Sequence, residues 1–417
     1  MGIAIVCVGT ELLRGQLNTH QSWLSRKLQD AGLFASRECT LPDEREAIAA
    51  ELRRCLRECE GVIVCGGLGP TFDDITREAA ADALGRRLSY RPALFAGIRR
   101  KLLRHAMSVP EENKRQAFVI AGARVLENRA GSAPGQVLSY KRKGGTGLMV
   151  LLPGPGSEMQ PMFERDVLPA FRAAFAKGRH SRHWAARLFG ISESAADERL
   201  APVTALARPG LDFTILSSAG QVDYHVTATA GSSRELDRTV ADVKRRVRDA
   251  VGDFLFGEDD DTLESACGDR LRKAGLTLAV AESCTAGLLG ARLTSVPGSS
   301  DYFKGGVLAY SNELKRGLLG VRAATLSRHG AVSAECAGEM ARGARAACRA
   351  GAGLAVTGIA GPGGGTKDKP VGLVYVAASV GRTTVSRELR LSGGRAAVRA
   401  RSVSHALGLL LRCLKSN

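Results

Sequence analysis

Apolar runs and amphipathic stretches alternate over residues 1–172 of the chain. Three uninterrupted apolar runs predict buried strands: IAIVCVG at 3–9, GVIVCGG at 61–67 and LMVLLPG at 148–154. Between these runs, apolar residues recur with helical spacing, which predicts helices over 20–32, 45–59 and 74–85. Strands and helices that alternate in this way are typical of a doubly wound α/β domain, in which helices cover both faces of a parallel sheet.

The pattern of apolar positions changes after residue 180. Over 180–256, the segments WAARLFGIS, DFTILSS and QVDYHVTATA predict short strands, and ELDRTVADVKRRVRDAVG predicts a helix; together they indicate a small α+β module. The acidic segment GEDDDT at 257–262 predicts an exposed boundary. Over 262–417 strands and helices alternate again, which predicts a third domain of the α/β class. Within it, LTLAVAES is predicted as a strand and TAGLLGARLTS as the helix that follows.

The composition supports several folded domains and favours anionic partners. Of the 417 residues, 44% are hydrophobic, which is enough for each domain to bury a core. Lysine and arginine (59) exceed aspartate and glutamate (42), so the formal net charge is +17, which favours phosphorylated molecules, nucleic acids or acidic surfaces as partners. The excess is scattered in short clusters such as KRK at 141–143 and KRRVR at 244–248. We interpret these clusters as an arginine-rich composition on solvated faces.

The cysteines and the lengths of the apolar runs indicate a cytoplasmic protein. None of the ten cysteines forms a CxxC pair, which indicates free thiols in a reducing cytosol and neither a disulfide framework nor a zinc site. The start MGIAIVCVGTE has no basic segment before its apolar run, and it therefore predicts a first strand and not a signal peptide. No run of about 20 apolar residues occurs, so we expect no membrane span.

Glycines and carboxylates follow three of the predicted N-terminal strands. The loops are GTELLRGQ at 9–16 with Glu11, GGLGPTFDDIT at 66–76 with Asp73 and Asp74, and LPGPGSEM at 152–159 with Glu158. Ligands of doubly wound sheets bind beyond the carboxyl ends of the strands, so these loops predict a shared crevice. There, backbone amides would contact a phosphate and carboxylates would bind a divalent cation. The alternative is a tight turn at the glycines, with Asp73 as the cap of the next helix.

Ser283, in the segment AESCTAG at 281–287, is the candidate nucleophile of the last domain. It ends a predicted strand just before a predicted helix, where backbone amides could stabilise an oxyanion. Lys315 in YSNELK is the candidate base, because serine–lysine pairs are an established catalytic variant and a lysine in a dry pocket near other cations has a lowered pKa. Cys284 is predicted to turn into the core. The alternative for Ser283 is a helix N-cap.

Two further loops could contact a substrate in the last domain. TGIAGPGGG at 357–365 is a glycine-rich loop at a strand end, where backbone amides can close around a phosphate or a ring. SGGR at 392–395 places Arg395 just before the final helix, where a guanidinium suits a bidentate contact with a phosphate or a carboxamide. The alternative for Arg395 is a solvated side chain.

These motifs resemble those of the CinA family. GTELLRGQ, GGLGPTFDDIT, NRAGSAPG at 128–135 and LPGPGSEM, in this order, resemble its molybdopterin-binding-like domain. AESCTAG, YSNELK and TGIAGPGGG resemble its C-terminal nicotinamide-nucleotide amidohydrolase domain, and the middle region corresponds to its KH-like module. The resemblance implies a homodimer. The chain departs from the family pattern at His20, Gly156 and Ala286, where the family usually has asparagine, proline and glycine.

For the last domain, the resemblance implies hydrolysis of nicotinamide mononucleotide to nicotinate mononucleotide and ammonia, without a cofactor. It implies Ser283 as the nucleophile, Lys315 as the base and Tyr310 as a supporting residue. The implied substrate-binding residues are Thr285, Gly287, Asn312, Thr357, Gly358, Gly361 and Arg395.

For the first domain, the resemblance implies a pyrophosphatase that acts on ADP-ribose with a divalent metal (Mg²⁺, Mn²⁺ or Co²⁺). The implied phosphate and metal site consists of Glu11, Gly66, Gly67, Gly69, Thr71, Asp73, Asp74 and Glu158. Asp73 and Asp74 are the implied metal ligands.

Two other classes of protein remain open from the sequence. The first is a molybdopterin- or nucleotide-binding protein without amidase activity, which the GGLGPT motif does not separate from the hydrolase. The second is a nucleic-acid-associated competence protein, suggested by the +17 charge and the KH-like middle. A KH module that binds nucleic acid carries a GXXG loop, and no GXXG occurs between residues 180 and 255, which makes nucleic acid the less favoured partner.

Overall fold

The structure is a computed structural model that describes residues 2–104, 108–176, 178, 180–218 and 220–415. Its internal contacts define two compact units. The first comprises Met1–His183 and Ala228–Val240, and the second comprises Trp184–Thr227 and Ala241–Asn417. Among the helices of these described ranges, none combines the length and the apolar composition that a membrane span requires.

The first unit is built on a six-stranded mixed sheet. Its strands, and a separate strand pair, are β1 (Ile3–Val8), β2 (Ala35–Leu41), β3 (Gly61–Cys65), β4 (Leu88–Tyr90), β5 (Phe118–Ile120), β6 (Arg124–Leu126), β7 (Gly135–Arg142) and β8 (Gly145–Leu152). The sheet order is β2-β1-β3-β8-β7-β6, and β4 pairs with β5. The predicted parallel arrangement holds for β2, β1, β3 and β8 only. The tight hairpin at Lys143 and Gly144 makes β7 antiparallel to β8, because two strands joined by a short turn must run in opposite directions.

Helices cover both faces of this sheet, as predicted. They are α1 (Thr10–Leu13), α2 (Thr19–Asp30), α3 (Arg45–Glu58), α4 (Thr76–Leu84), α5 (Pro92–Arg104), α6 (Gly156–Met162) and α7 (Leu168–Phe175), with a 3₁₀ segment at Glu111–Ala117 and a π-helical segment at Phe163–Val167. Successive residues of β1 point to opposite faces. Val6 therefore packs in the core with α3 and α4, and Ile5 packs in the core with α2 and α6.

The middle module is a four-stranded sheet with two helices. Its elements are β9 (His180–Phe189), α8 (Glu193–Thr204), β10 (Leu211–Ser218), β11 (Gln221–Ala230), α9 (Ser233–Val251) and β12 (Leu255–Glu258), with the sheet order β10-β11-β9-β12. The predicted α+β character is confirmed. The sequence did not reveal α8, because Pro202 lies inside this helix and only three of its residues are buried. Its start is defined by the side chain of Ser192, which accepts the amide of Ala195.

The last domain is a five-stranded sheet between two helical layers. Its elements are α10 (Leu263–Lys273), β13 (Leu278–Glu282), α11 (Leu288–Thr294), β14 (Phe303–Leu308), α12 (Asn312–Leu319), α13 (Ala323–His329), α14 (Ala334–Ala347), β15 (Ala352–Gly358), β16 (Leu373–Val380), β17 (Thr383–Arg390) and α15 (Arg395–Lys415), with a 3₁₀ turn at Ser299–Asp301. The order is β14-β13-β15-β16-β17. β14, β13 and β15 are parallel, so their carboxyl ends lie at one edge of the sheet. That edge carries the candidate site.

Candidate active site

Ser283 and Lys315 are brought together at the carboxyl edge of the last sheet. The Nζ atom of Lys315 donates a hydrogen bond to the Oγ atom of Ser283 over 3.1 Å. It also donates to the carbonyl oxygens of Ala309 at 2.8 Å and Tyr310 at 3.1 Å. Both side chains lie away from solvent, since Lys315 is 2% exposed and Ser283 is 8% exposed. Nucleophile and base thus have the contact that activation of a serine requires.

The sheet and one helix position this pair. The amide of Ser283 donates to the carbonyl of Val356, so the β13–β15 ladder continues one residue beyond the strand. Lys315 lies in the first turn of α12, a helix whose start is capped by the side chain of Ser311. Lys315 and Leu319 are the buried residues of this short helix, and they are four positions apart. Lysine therefore occupies a position on the core-facing side of the helix, where an apolar residue is expected.

Burial lowers the pKa of the Lys315 side chain, because the charged ammonium loses its hydration. The thiols of Cys336 and Cys284 oppose this shift. The cause is therefore the dry surroundings that we predicted, and not the neighbouring cations that we also expected. A lowered pKa increases the fraction of neutral amine near neutral pH, and only the neutral amine can accept the proton of a serine hydroxyl.

A four-residue turn separates Ser283 from the helix that follows it. Strand β13 ends at Glu282 and α11 begins at Leu288, with Gly287 as its N-cap. The predicted helix start at Thr285 is wrong, and so is the alternative that Ser283 caps a helix. Ala286 and Gly287 both have positive φ values, of 46° and 93°, which no helix accommodates. Ala286 thus occupies a backbone conformation that glycine adopts more easily, in keeping with the departure noted in the sequence.

Glu282 binds the start of α11. Its carboxylate accepts the amides of Gly287 at 3.0 Å, Leu289 at 3.0 Å and Gly290 at 2.8 Å, and its side chain is buried. The amides at this helix start therefore face a carboxylate of the protein, and the predicted oxyanion role does not apply to them. Within the described part of the chain, the amides of Cys284 and Thr285 donate to no carbonyl or carboxylate oxygen. These two amides follow Ser283 directly in the chain and are the candidates to meet an oxyanion beside it.

Sequence reasoning did not single out Glu282. An acidic residue that ends a buried strand, immediately before a turn and a helix, is the signal that could have identified it.

Arg399 holds the same turn from the opposite side. Its Nη2 atom donates to the carbonyl of Thr285 over 2.6 Å, and its Nε atom is buried without a partner. The Thr285 side chain is also fully buried, and its Oγ1 atom has no partner. The sequence directed attention to Arg395, and Arg399 follows it by one helical turn on α15.

Cys284 is packed in the core, as predicted. Its side chain is buried among the apolar residues of the last domain, and burial raises the pKa of the thiol to about 11. A thiol with this pKa is almost entirely protonated near neutral pH, and its nucleophilic thiolate is correspondingly rare. Three basic side chains lower the pKa of this thiol and so oppose the effect of burial: Arg399, Lys315 and Arg395. Basic side chains therefore lie around the turn that carries Ser283.

Tyr310, Asn312 and Arg395 lie at the exposed mouth of the site. The Tyr310 ring is 62% exposed, and its hydroxyl lies 3.5 Å from the Nη2 atom of Arg395. Lys315 contacts the backbone carbonyl of Tyr310 and not its hydroxyl. Arg395 also donates to the carbonyl of Gly361 over 2.8 Å, which joins α15 to the glycine-rich loop. Asn312 is exposed at the first position of α12.

The other predicted substrate-binding residues lie deeper. Thr357 is buried, and its hydroxyl donates to the carbonyl of Ala331 over 2.9 Å. A Cβ atom at Gly358 would lie 2.6 Å from Val374 and 2.8 Å from the carbonyl of Leu373. Gly358 is therefore required by close packing against β16, whatever it contributes to substrate binding.

The N-terminal glycine loops also meet at one edge of their sheet. Gly66 approaches Val8 so closely that a Cβ atom would lie 2.1 Å from the Val8 carbonyl, and its amide donates to Leu152. The loops after β1, β3 and β8 are thus neighbours, as predicted. His20 Nε2 makes a short hydrogen bond with the carbonyl of Gly154 in the third loop.

Two of the four carboxylates of these loops are engaged by other groups of the protein. Asp74 accepts the amides of Gly69 at 2.7 Å and Thr71 at 2.8 Å, and Glu158 accepts the side-chain amide of Asn128 at 2.6 Å. Glu11 and Asp73 are exposed. Helix α4 begins at Thr76 without a side-chain cap, so the alternative that Asp73 caps it is wrong.

The N-terminal loops do not form a preassembled metal site. In the part of the chain that the structure describes, no group of three or more histidine, cysteine, aspartate or glutamate residues could hold an ion. The implied metal ligation by Asp73 and Asp74 stays a prediction.

Sequence reasoning also missed Arg77, which is buried and donates to the carbonyls of Leu68 at 2.5 Å and Gly69 at 3.1 Å.

The fold and the site together define a three-module α/β protein with a buried serine–lysine pair in its last domain. Three family models match the chain in order: "Probable molybdopterin binding domain" over residues 4–173, "Damage-inducible protein CinA KH domain" over 185–257 and "CinA C-terminal domain" over 260–414. Together with relatives that match over the full length, these matches show that the chain belongs to the CinA family.

Two of these relatives are named "CinA-like protein". The protein from Endomicrobium trichonymphae is 40% identical over 424 residues, and that from Dictyoglomus thermophilum is 39% identical over 418 residues; each alignment covers 99% of both chains. A crystal structure of the competence/damage inducible protein CihA from Agrobacterium tumefaciens is 42% identical. It covers 37% of this chain and 93% of its own, with a TM-score of 0.35.

Proposed function

We propose that the last domain hydrolyses the carboxamide of nicotinamide mononucleotide, giving nicotinate mononucleotide and ammonia. The observation that supports this proposal is the 3.1 Å hydrogen bond between Lys315 Nζ and Ser283 Oγ, at a buried position that excludes water from the lysine. Membership of the CinA family supports the assignment of the substrate, as do the cations around the site, since the substrate carries a phosphate.

The reaction begins with attack of Ser283 Oγ on the amide carbon. Neutral Lys315 takes the hydroxyl proton as the C–O bond forms, and the carbonyl oxygen becomes an oxyanion that meets the amides of Cys284 and Thr285. Lys315 then gives its proton to the amide nitrogen, the C–N bond breaks, and ammonia leaves. The product of this half of the reaction is an ester between Ser283 and the nicotinate carbonyl.

Water completes the reaction at the same pair. Lys315, neutral again, takes a proton from the water that attacks the ester carbon. The tetrahedral intermediate collapses, the bond to Ser283 Oγ breaks, and Lys315 returns the proton to the serine. Atoms and charges balance without a redox partner, and Arg395 at the mouth would bind the phosphate of the nucleotide.

Ammonia release from nicotinamide mononucleotide tests this proposal. We expect release by the wild type and loss of release in Ser283→Ala, with a chelator present throughout. Ser327→Ala is the matched control, because Ser327 is exposed and its hydroxyl donates to the carbonyl of Ala324 in its own helix. Release by Ser283→Ala at the wild-type rate, or no release by the wild type, would contradict the proposal.

The N-terminal crevice supports a second candidate function, metal-dependent hydrolysis of ADP-ribose. The observation that favours it is the convergence of three glycine loops at the carboxyl ends of β1, β3 and β8, where doubly wound sheets bind nucleotides. Release of AMP from ADP-ribose with added Mg²⁺, Mn²⁺ or Co²⁺ tests it. An absence of release with all three ions would remove this function.

A further inference from the structure

A basic groove lies at the end of the first sheet opposite to the glycine loops. It encloses about 820 Å³ and is lined by six cationic side chains and no carboxylate. These residues, which we call the basic groove, are Arg53, Arg57, Arg86, Lys141, Arg142 and Lys143. The sequence showed the KRK cluster at 141–143 as part of a scattered excess of charge. In the folded chain, this KRK cluster lines one side of the groove.

Three structural elements build the basic groove. Arg53 and Arg57 are one helical turn apart on α3, Arg86 follows the end of α4, and the KRK cluster spans the end of β7 and its hairpin turn. The Arg86 guanidinium is fixed by the carbonyls of Ser139 at 2.6 Å and Ala121 at 3.3 Å. The hydroxyl of Tyr140 donates to Cys59 over 2.7 Å, which ties the hairpin to the end of α3. These hydrogen bonds hold in place the backbone segments that carry the cations.

The charges of the basic groove are largely uncompensated: Asp82 interacts electrostatically with Arg53 but forms its ion pair with Arg45. Nearby arginines are paired: Arg37 with Glu51 and Glu58, Arg54 with Glu58, and Arg45 with Asp82. Among the described residues, none of the six groove cations makes an ion pair, and the Nε atom of Arg142 is buried without any partner. The dipole at the end of α3 accounts for a cation at Arg57, but it does not account for three more on the hairpin. Like charges that lie this close repel one another, and a bound anion would relieve that repulsion.

The shape and composition of the groove indicate the class of anion. Tyr140, the aromatic side chain of the lining, is buried with its hydroxyl bonded to Cys59, so it offers no face for stacking a base. One guanidinium group can donate two parallel hydrogen bonds to the oxygens of one phosphate. Several arginines side by side can therefore bind several phosphates. We infer that the basic groove binds a chain of linked phosphates, either inorganic polyphosphate or the triphosphate of a nucleotide.

This site is separate from the N-terminal crevice and from the amidase site. The crevice begins where β3 ends at Cys65, whereas the groove adjoins the start of β3 at Gly61. Four residue steps of extended chain separate the two ends by roughly 13 Å. The inference therefore does not depend on the proposed function, and ammonia release should be unchanged when the groove is altered.

Calorimetric titration of the full chain with inorganic tripolyphosphate tests the inference. The groove variant combines Arg57→Gln, Lys141→Gln and Lys143→Gln, all at exposed positions. The matched control combines Arg99→Gln, Arg100→Gln and Lys273→Gln, which are also exposed and change the net charge equally. We expect saturable binding by the wild type, a loss of affinity of about tenfold or more in the groove variant, and less than about twofold in the control.

Two further titrations, with ATP and with a DNA or RNA oligonucleotide, distinguish nucleotides from polyphosphate and test nucleic acid as the alternative ligand. ATP that binds as tightly as tripolyphosphate assigns the groove to nucleotides, and weaker ATP assigns it to polyphosphate; both support the inference. No saturable binding, or an equal loss in both variants, overturns it. Tighter binding of a DNA or RNA oligonucleotide that is lost in the groove variant also overturns it, because the groove would then be a nucleic-acid surface.

Discussion

Glu282 lies directly before Ser283 in the chain, and its carboxylate binds the amide of Gly290 at 2.8 Å. The bond reaches across the turn that carries the nucleophile and joins the end of β13 to the start of α11. Together with the bonds to Gly287 and Leu289, it makes the position of Ser283 depend on one buried carboxylate. Glu282 is thus a positioning residue: it contacts the backbone around the nucleophile and not the substrate.

Glu282→Gln should lower kcat by about a hundredfold while KM changes little, because a displaced nucleophile loses its approach geometry before substrate binding is lost. The glutamine side chain is neutral and cannot form the charge-assisted hydrogen bonds that the carboxylate accepts. The free energy of unfolding should therefore fall by about 2 kcal/mol. Kinetics of ammonia release and thermal melts measure both effects. Glu313→Gln, at an exposed position on α12, is the control. A stability loss with unchanged kcat would reduce Glu282 to a structural role.

Replacement of Lys315 should separate catalysis from stability. Lys315→Met removes the base, and amide hydrolysis should fall by about 10³-fold or more. The same change removes the cost of burying an amine but leaves the carbonyls of Ala309 and Tyr310 without a donor, so the free energy of unfolding should change by no more than about 1–2 kcal/mol. Arg316→Gln, an exposed neighbour, should change neither quantity. Full turnover by Lys315→Met would remove Lys315 as the base.

The lowered pKa of Lys315 predicts two dependences on pH. Activity should rise with pH as the amine loses its proton, with a midpoint below the ordinary lysine value of 10.5. Between this midpoint and 10.5, the unfolded chain binds a proton that the folded chain has lost. The free energy of unfolding of the wild type should therefore rise with pH relative to Lys315→Met.

A pH profile of kcat/KM and denaturant titrations at several pH values measure these dependences. The idea fails if the kinetic midpoint lies at or above 10.5, or if both chains respond identically to pH.

The sequence singled out two residues that the structure brings into contact, but it did not predict the local geometry around them. Ser283 and Lys315 were identifiable because strand ends and a distinctive motif mark them, and parallel strands place their ends together. The Ser283–Gly287 turn was not identifiable, because small residues are compatible with a helix start, and only the positive φ of Ala286 excludes it. Sequence periodicity also cannot show which partner a carboxylate or guanidinium chooses, so Glu282 and Arg399 were missed.

The same limit applies to the N-terminal domain. The glycine loops were placed correctly at one sheet edge, since the order of strands and helices determines where strand ends lie. The carboxylate of Asp74 was expected to face a ligand, and it instead binds Gly69 and Thr71 in its own loop. Short polar side chains often bond to neighbouring backbone in this way, and the choice depends on loop geometry that spacing alone does not specify.

Arg399→Gln should slow amide hydrolysis by about tenfold with little change in KM, because the Thr285 carbonyl loses its 2.6 Å bond and the turn around Ser283 loosens. Arg401→Gln is a close control: this arginine lies on the same helix and binds Ser392, away from the turn. The kinetic constants for nicotinamide mononucleotide check this prediction. A large rise in KM at unchanged kcat would instead make Arg399 a substrate-binding residue.

Asp74→Ala should affect the N-terminal domain alone. Its carboxylate closes the loop onto the amides of Gly69 and Thr71, so its removal should lower the free energy of unfolding by about 1–2 kcal/mol and abolish any ADP-ribose hydrolysis. Asp73→Ala, at an exposed position, should leave stability unchanged, and it would lose ADP-ribose hydrolysis only if Asp73 binds the metal. Ammonia release by both variants, with and without a chelator, should equal that of the wild type. An equal loss of both activities in Asp74→Ala would contradict two separate sites.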